Sequence, residues 1–377
     1  MQISFNKASL TGNEIDYILD AVNSGHISGD GNYSKKCQKL LCEVLGTSSA
    51  LLTTSCTDAL EMAAILLNIT PGDEVLFPSY TFVSTVNAFV LMGAVPVFVD
   101  IRRDTLNIDE KLISEKITAR TKAIVVVHYA GVSCEMDTIL EIAKQRGIHV
   151  VEDNAHGLFG KYKGKYLGTF GCLATQSFHE TKNFTCGEGG ALLINDQSLI
   201  ERAEIIRDKG TNRSKFYRGQ VDKYTWVDVG SSYLPSDILS AFLLAQLENS
   251  AAIQMIRNEI WDYYFKALYD WSQSEGVTLP FVPTHCDQAF HMFYLILPSE
   301  ALRDKLILFL KEAGIYAVFH YLPLHLSPMG VRFGGMSGDC PVTEDISSRI
   351  IRLPFYNGIT KTDLAYITDM VKKFTCS

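Results

Sequence analysis

No two of the nine cysteines stand in a C-x-x-C pair; they fall at 37, 42, 56, 134, 172, 186, 286, 340 and 376. That odd, scattered set fits neither a zinc site nor a disulfide framework, so reduced and mostly packed thiols are expected. No apolar run approaches the ~20 residues needed to span a bilayer. The opening "MQISFNKASLTGNEIDYI" lacks a basic region followed by an apolar core. A cytoplasmic protein is expected. Basic charge is also scarce. A formal net charge of -8 gives no general attraction for nucleic acid or an anionic membrane, so neither is expected as a partner. An anionic ligand must instead meet a local cluster of donors. The dinucleotide fingerprint G-x-G-x-x-G is missing, because "GDGNYS" has only Gly29 and Gly31 and follows no strand-like run. "GKYKGKY", around residues 160–166, has neither the spacing nor the Ser/Thr of a P-loop. In "HYLPLH", Pro323 separates His320 from His325, which suits packing or substrate contact better than a metal site. No metal is expected, and there is no tandem repeat or low-complexity segment.

What is present is ample material for a core: 47% of 377 residues are hydrophobic and 20% charged. This is ordinary for a globular chain and excludes general disorder. Strand-like runs recur between helical patterns: "ALLTT" (50–54), "EVLFP" (74–78), "PVFVD" (96–100), "AIVVVH" (123–128), "HVVED" (149–153), "ATQSF" (174–178) and "GALLI" (190–194). Several are apolar almost throughout, as strands covered on both faces should be. The alternation predicts an α/β fold with a largely parallel, seven-stranded sheet flanked by helices. Beyond residue 200 the pattern shifts to long helices, the last interrupted near Asn249 and Ser250. A smaller α+β unit follows, with strand-like "MFYLIL" (292–297), helical "LRDKLILFLKEAG" (302–314) and strand-like "YAVFHY" (316–321). Two domains are expected, residues 1–249 and 250–377.

Ligands of open parallel sheets sit beyond the carboxyl ends of strands, and three such ends stand out. In "LLTTSCTDALEMAAILL" a strand passes through the polar turn Thr54-Ser55-Cys56-Thr57 into a helix. Its free backbone N–H groups suit a phosphate, although Ser55 or Thr57 could simply cap the helix. In "HVVEDNAHG" the pair Glu152-Asp153 closes a strand, where a carboxylate could bind a ribose, a metal or a protonated ring nitrogen. In "QSFHETKNFTCGEGGALLIN", Lys182 follows the strand-ending Phe178 by four residues. It is either a surface lysine or one held by packed structure, where burial favours the neutral, reactive amine. Taken together, a phosphate turn, an acidic strand end and a lysine 29 residues later are the three handles of pyridoxal 5'-phosphate: phosphate, pyridine nitrogen and aldehyde.

At these residues the chain resembles the DegT/DnrJ/EryC1/StrS family of nucleotide-sugar aminotransferases. The resemblance runs from "SGHISGDG" through "TTSCTDALEMA", "PSYTFVSTVNA", "VHYAG", "VEDNAH", "SFHETKNFTCGEGG" and "DKGTNR" to "HYLPLH". It implies the aspartate aminotransferase type of fold (pyridoxal phosphate fold type I). Lys182 would bond the cofactor aldehyde, Asp153 would pair with the pyridine nitrogen, and His156 would lie near the phenolic oxygen. Phe82 would stack on the ring, while Ser55, Cys56, Thr57 and Ser177 would hold the phosphate. The family commonly has an asparagine in "G-x-N-x-R", given by the neighbouring subunit to the phosphate. Here Ser232 occupies the asparagine's place and Leu234 the arginine's. Members that dehydrate sugars have histidine in place of the lysine, so Lys182 implies transamination.

Within the family, "FHETKN" and "DKGTNRSKFYRGQVDKYTW" resemble the branch that makes dTDP-4-amino-4,6-dideoxy-D-galactose. The resemblance implies glutamate as donor, with 2-oxoglutarate and pyridoxamine 5'-phosphate formed midway, and dTDP-4-keto-6-deoxy-D-glucose as acceptor. The C4 epimer and a 3-amino sugar are the alternative products, while a pyridoxal-binding regulator would call for a basic surface that the chain lacks. Residues 202–223 hold Arg202, Arg207, Lys209, Arg213, Lys215, Arg218 and Lys223 against Glu204, Asp208 and Asp222. That excess is either a diphosphate or donor-carboxylate patch or a solvated face. Arg213, His320 and Tyr321 are the substrate-binding candidates. A shared phosphate contact implies a homodimer with joint active sites.

Overall fold

The computed structural model describes residues 2–376; Met1 and Ser377, the ends of the two expected domains, lie outside the described residues. Seven strands form the main sheet: β1 (Ser49–Thr53), β2 (Glu74–Pro78), β3 (Val95–Val99), β4 (Thr121–Val127), β5 (His149–Asp153), β6 (Leu173–Ser177) and β7 (Gly190–Ile194). Their spatial order is β1-β7-β6-β5-β4-β2-β3. Only β7 runs against its neighbours, so the sheet is mixed and largely parallel.

Successive side chains of a strand point to opposite faces, and both faces here are covered. Val75, Phe77, Val125 and Val151 pack on one side with the Cys56–Leu66 and Val83–Val90 helices. Leu76, Ile124, Val126 and Val150 pack on the other with the Met136–Arg146 helix. Leu52, Ala174 and Leu193 share that second face with the Asn32–Leu45 and Asp237–Glu248 helices. Each such aliphatic or aromatic side chain contributes about 1.5–3 kcal/mol on full burial.

The helical stretch after residue 235 breaks where the sequence implied. One helix ends at Glu248, the next runs from Ser250 to Glu275, and the Asn249 side chain donates to Ala245 O at 2.9 Å. A second core surrounds Trp261, Tyr264, Phe293, Leu306 and Ile367. It includes β8 (Tyr294–Ile296) and β9 (Ile350–Arg352), which pair antiparallel. We propose the domain boundary at 249/250, crossed in both directions: Ile3 bridges Ile315 and Phe5 O accepts from Phe355 N, so the N-terminal arm lies on the second core, while Cys286–Asp287 pairs back with Lys161–Tyr162. Residues 316–321, strand-like in sequence, are not a strand. Val318 alone bridges to Arg352, and Tyr321 has φ of 39°, outside the extended region. The glycine-rich "GKYKGKY" is a hairpin. Lys163 and Gly164 have positive φ between strands 161–162 and 165–166, as a two-residue hairpin turn requires. Among the described residues no helix is long and apolar enough to cross a membrane.

β1, β7 and β6 are held close at their ends by Gly190, which pairs with Thr53 on one side and Ser177 on the other. A Cβ there would lie 2.4 Å from Cys56 N and from the Ser55 carbonyl. Gly190→Ala is therefore expected to destabilise the fold by about 1–3 kcal/mol through overpacking. Gly358→Ala, whose added Cβ meets nothing nearer than 4.0 Å, should stay within about 0.5 kcal/mol of the parent. Denaturant unfolding of the two variants checks this.

Candidate functional site

β6 and β7 are antiparallel neighbours, and the loop joining them carries Lys182. Phe178 N donates to Gly189 O (2.8 Å), Cys186 N to Phe178 O (3.0 Å) and Glu180 N to Gly187 O (2.9 Å), which closes the loop on itself. Gly187, at φ 87°, makes the turn a side chain would strain. Lys182 is enclosed by protein yet keeps partial access to solvent, as at the floor of a cleft. Among the described residues its amine has neither a hydrogen bond nor an ion pair. Burial pulls its pKa down to about 8, with the nearby Asp153 carboxylate acting the other way.

Neighbouring acids at the end of β5 have opposite fates. Glu152 points into the protein and accepts from His128 Nε2 (2.9 Å) and from the N–H groups of Gly168, Phe170 and Gly171 (2.7 Å each). Burial pushes its carboxyl up, and these four donors prevail and hold it below the ordinary value. Asp153 points to the other face. Thr85 Oγ1 donates to its Oδ2 at 2.7 Å, and Ala155 N to its Oδ1 at 3.2 Å, so its orientation is fixed while lone pairs remain free.

The turn before the Cys56–Leu66 helix combines both readings of the sequence. Ser55 Oγ caps the helix by accepting from Asp58 N at 3.0 Å. The N–H groups of Cys56 and Thr57 have no acceptor among the described residues, as expected at a helix start. The Cys56 thiol donates to Thr175 Oγ1 (3.4 Å), Thr57 Oγ1 to Ser84 Oγ (2.9 Å). Ser177, opposite Gly190 in the ladder, ends beside this turn.

The rest of the cleft is aromatic. Phe82 heads the Val83–Val90 helix, is 55% exposed, and stands 6.1 Å from the Tyr321 ring. His156 stacks on His291 at 4.1 Å, and its buried Nδ1 has no partner among the described residues. Burial, reinforced by the charges of Lys182 and Arg352, keeps His156 neutral. His320 Nδ1 lies 2.7 Å from Tyr129 Oη, and Tyr321 Oη lies 3.5 Å from His156 Nε2. Lys182, Asp153, Cys56, His156, His320 and Tyr321 are thus gathered together.

Two candidates are not. Ser232 is exposed, bridges Asp208, and bonds none of these groups; Arg213 binds Tyr217 Oη at 2.7 Å. The basic excess of residues 202–223 is largely neutralised by packing. Arg202, Arg207, Lys209, Lys215 and Arg218 pair with Asp228, Asp30, Asp208, Glu201 and Glu204.

Four residues escaped the sequence reading. Thr85 fixes Asp153, and Asn183 binds His291 Nδ1 through Oδ1 (2.8 Å) and Ala289 O through Nδ2 (2.6 Å). His291 backs His156. Arg352 ends β9, half-buried, with no ion-pair partner among the described residues and with its Nε unpaired. Lys182, His156 and His320 all feel its charge. The available signal was an arginine inside the apolar run "IIRLPF" and a histidine inside "AFHMFY".

Comparison with known proteins agrees along the whole chain. The sequence model of the DegT/DnrJ/EryC1/StrS aminotransferase family matches residues 8–372. An uncharacterized protein of Methanocaldococcus jannaschii is 36% identical over 367 residues, 96% of this chain and 94% of that one. GDP-perosamine synthase of Escherichia coli O157:H7 is 33% identical over 370 residues, 97% and 96% of the two chains. Spr1654 of Streptococcus pneumoniae, solved in a PMP form and a PLP form, superposes in the former with a TM-score of 0.92 at 27% identity, covering 99% of this chain and 98% of its own.

In protein stripped of small molecules, acylation of Lys182 followed by peptide mass spectrometry should rise through about pH 8, because the lowered pKa makes the amine neutral above that point. A midpoint above pH 10 would mean that the amine is solvated like an ordinary lysine.

Proposed function

The chain belongs to the DegT/DnrJ/EryC1/StrS aminotransferase family, and from that footing we propose that it moves the amino group of glutamate to C4 of dTDP-4-keto-6-deoxy-D-glucose, giving dTDP-4-amino-4,6-dideoxy-D-galactose. The chain is a pyridoxal-phosphate-dependent sugar aminotransferase with the fold of that enzyme class.

The convergence of Lys182 and Asp153 from separate strand ends, with the amine unpaired and its pKa lowered, is the observation that carries the reading. The residues present fit the cofactor. The free N–H groups at Cys56 and Thr57, with Ser177 beside them, suit its phosphate. Asp153 suits the pyridine nitrogen, and the orphaned Nδ1 and neutral ring of His156 suit a neighbouring polar atom. When bound, pyridoxal phosphate supplies an electron-withdrawing ring and a carbon that carries the amino group. Lys182 Nζ, neutral above about pH 8, takes the proton from the α carbon of the donor and later delivers one to the sugar carbon. Phe82 would cover the ring face and keep water from it.

Arg352 is our candidate for the donor. Half-buried in the same cleft and without a counterion among the described residues, its guanidinium suits a carboxylate, which it can hold through two parallel bonds. His320 and Tyr321, on the same wall, are assigned to the sugar. The single chain also leaves Ile15, Leu19 and Val22 of one helix exposed, together with Trp226. These support a homodimer, in which Ser232 would serve the neighbouring site; sedimentation of fully active protein as a monomer would refute shared sites. The GDP-perosamine synthase relative favours a second reading, a GDP-linked acceptor.

Incubation with glutamate and either the dTDP- or the GDP-linked 4-keto-6-deoxy sugar, followed by NMR of the product, separates the two readings and fixes the configuration at C4. Lys182→Ala should abolish turnover and the long-wavelength absorbance of the bound cofactor; retention of both would remove Lys182 from its role. Arg352→Gln should raise KM for glutamate by about 10–100-fold, the range for loss of a charge-assisted bidentate contact, and leave KM for the sugar unchanged.

A further inference from the structure

Ser79 meets His325, 246 residues later in the chain, and Glu344, a further 19 residues on, in one hydrogen-bonded line. Ser79 Oγ lies 2.6 Å from His325 Nδ1, and His325 Nε2 lies 3.0 Å from Glu344 Oε1. In composition this is the serine, histidine and acid set of acyl-transfer enzymes, but the ring is reversed. In those enzymes the acid sits on Nδ1 and the serine on Nε2. Here Ser79 and His325 are also fully buried, so no substrate carbonyl can reach the hydroxyl. Acyl transfer is excluded.

The bonds satisfy every atom with one neutral tautomer: Nε2–H donates to the carboxylate, and Nδ1 accepts the Ser79 hydroxyl proton. His325 N also donates to Ser79 Oγ at 3.3 Å, and Leu324 N to Ser79 O at 3.0 Å. At the far end Glu344 accepts from Gly338 N (2.7 Å) and Ser337 Oγ (3.0 Å). Gly330 and Gly335 pack so tightly on the His325 carbonyl that a Cβ would come within 2.6 and 2.2 Å of its oxygen. The segment after Leu324 is wound around this histidine.

The line joins two walls of the cleft. Phe82 follows Ser79 by three residues, while Tyr321 precedes His325 by four and His320 by five. Tyr321 holds a φ of 39°, which a non-glycine residue keeps only when its surroundings impose it. Between the walls, Tyr80 Oη donates to His320 O at 2.8 Å. Arg352 takes no part in this line: its backbone meets the segment at Val318, ahead of His320, through a pair of bonds of 2.7 and 3.1 Å, and β9 is otherwise held by its own ladder to Tyr294.

We propose that Ser79, His325 and Glu344 are positioning residues, a strut that holds the His320 and Tyr321 wall opposite Phe82 and so sets the opening for the acceptor sugar. The proposal rests on the sugar-aminotransferase reading. It assigns the strut to the acceptor half of the reaction and leaves the donor half to Lys182 and Arg352.

The test uses the cofactor-loaded enzyme and its Ser79→Ala, His325→Ala and Glu344→Gln variants. In the first two, KM for the 4-keto sugar nucleotide should rise by about tenfold or more, the scale of a small misplacement at a binding wall. KM for glutamate, and the rate of the absorbance change with glutamate alone, should match the parent. Glu344→Gln keeps an oxygen acceptor for Nε2–H and should restore near-parent behaviour. If KM for both substrates stays at the parent value while only the melting temperature falls, the strut is merely structural and the proposal fails. A parallel rise in both KM values overturns it as well. Should His325→Ala fail to fold, Ser79→Ala, which removes one hydroxyl, decides alone. Failure of the parent enzyme to turn over any keto sugar would instead refute the function on which this rests.

Discussion

Two cations and one carboxylate share a poorly hydrated cleft, and much of the architecture is arranged around that imbalance. Lys182 and Arg352 are both drawn out of water and neither has an ion-pair partner among the described residues, while Asp153 is held by Thr85 and Ala155. Desolvation disfavours charge. A fold that keeps such groups unpaired has left room for a ligand that brings negative charge, and a phosphorylated cofactor together with an amino-acid donor meets that demand.

The same constraint explains the division of labour at the end of β5. Glu152 and Asp153 are chemically close and adjacent, yet side chains alternate along a strand, so one must face the interior and the other the opening. Glu152 is surrounded by four donors and becomes an anchor for His128 and the loop at 168–171. Asp153 keeps free lone pairs where a ring nitrogen can meet them. The strand register decides which acid is structural and which is available for chemistry.

The cleft is also a seam between two cores. One wall belongs to the sheet, with Lys182, Asp153 and the Cys56 turn, and the other to the C-terminal unit, with His291, His320, Tyr321 and Arg352. Asn183, next to Lys182, grips His291 and the Ala289 carbonyl across that seam. The loop of Lys182 is thereby tied directly to the second unit, and the geometry of the cleft depends on both cores being packed at once.

The seven strands, their near-parallel sheet, the interruption at Asn249 and the candidacy of Lys182 and Asp153 were legible in the residues, because strand periodicity, breakers and strand-end chemistry are local signals. The resemblance to a known family added roles for His156, Phe82 and Ser177, which spacing did not supply. Other features awaited the tertiary structure: the non-strand course of residues 316–321, the neutralised basic segment, and the partnership of Thr85 with Asp153. The positions of Arg352 and His291 belong with these. Each depends on contacts between residues far apart in the chain, where one strand's register or one carboxylate arriving from elsewhere changes a side chain's surroundings without changing its own neighbours in sequence. Local pattern chose the elements, and long-range packing chose which of their polar groups would be left without a partner.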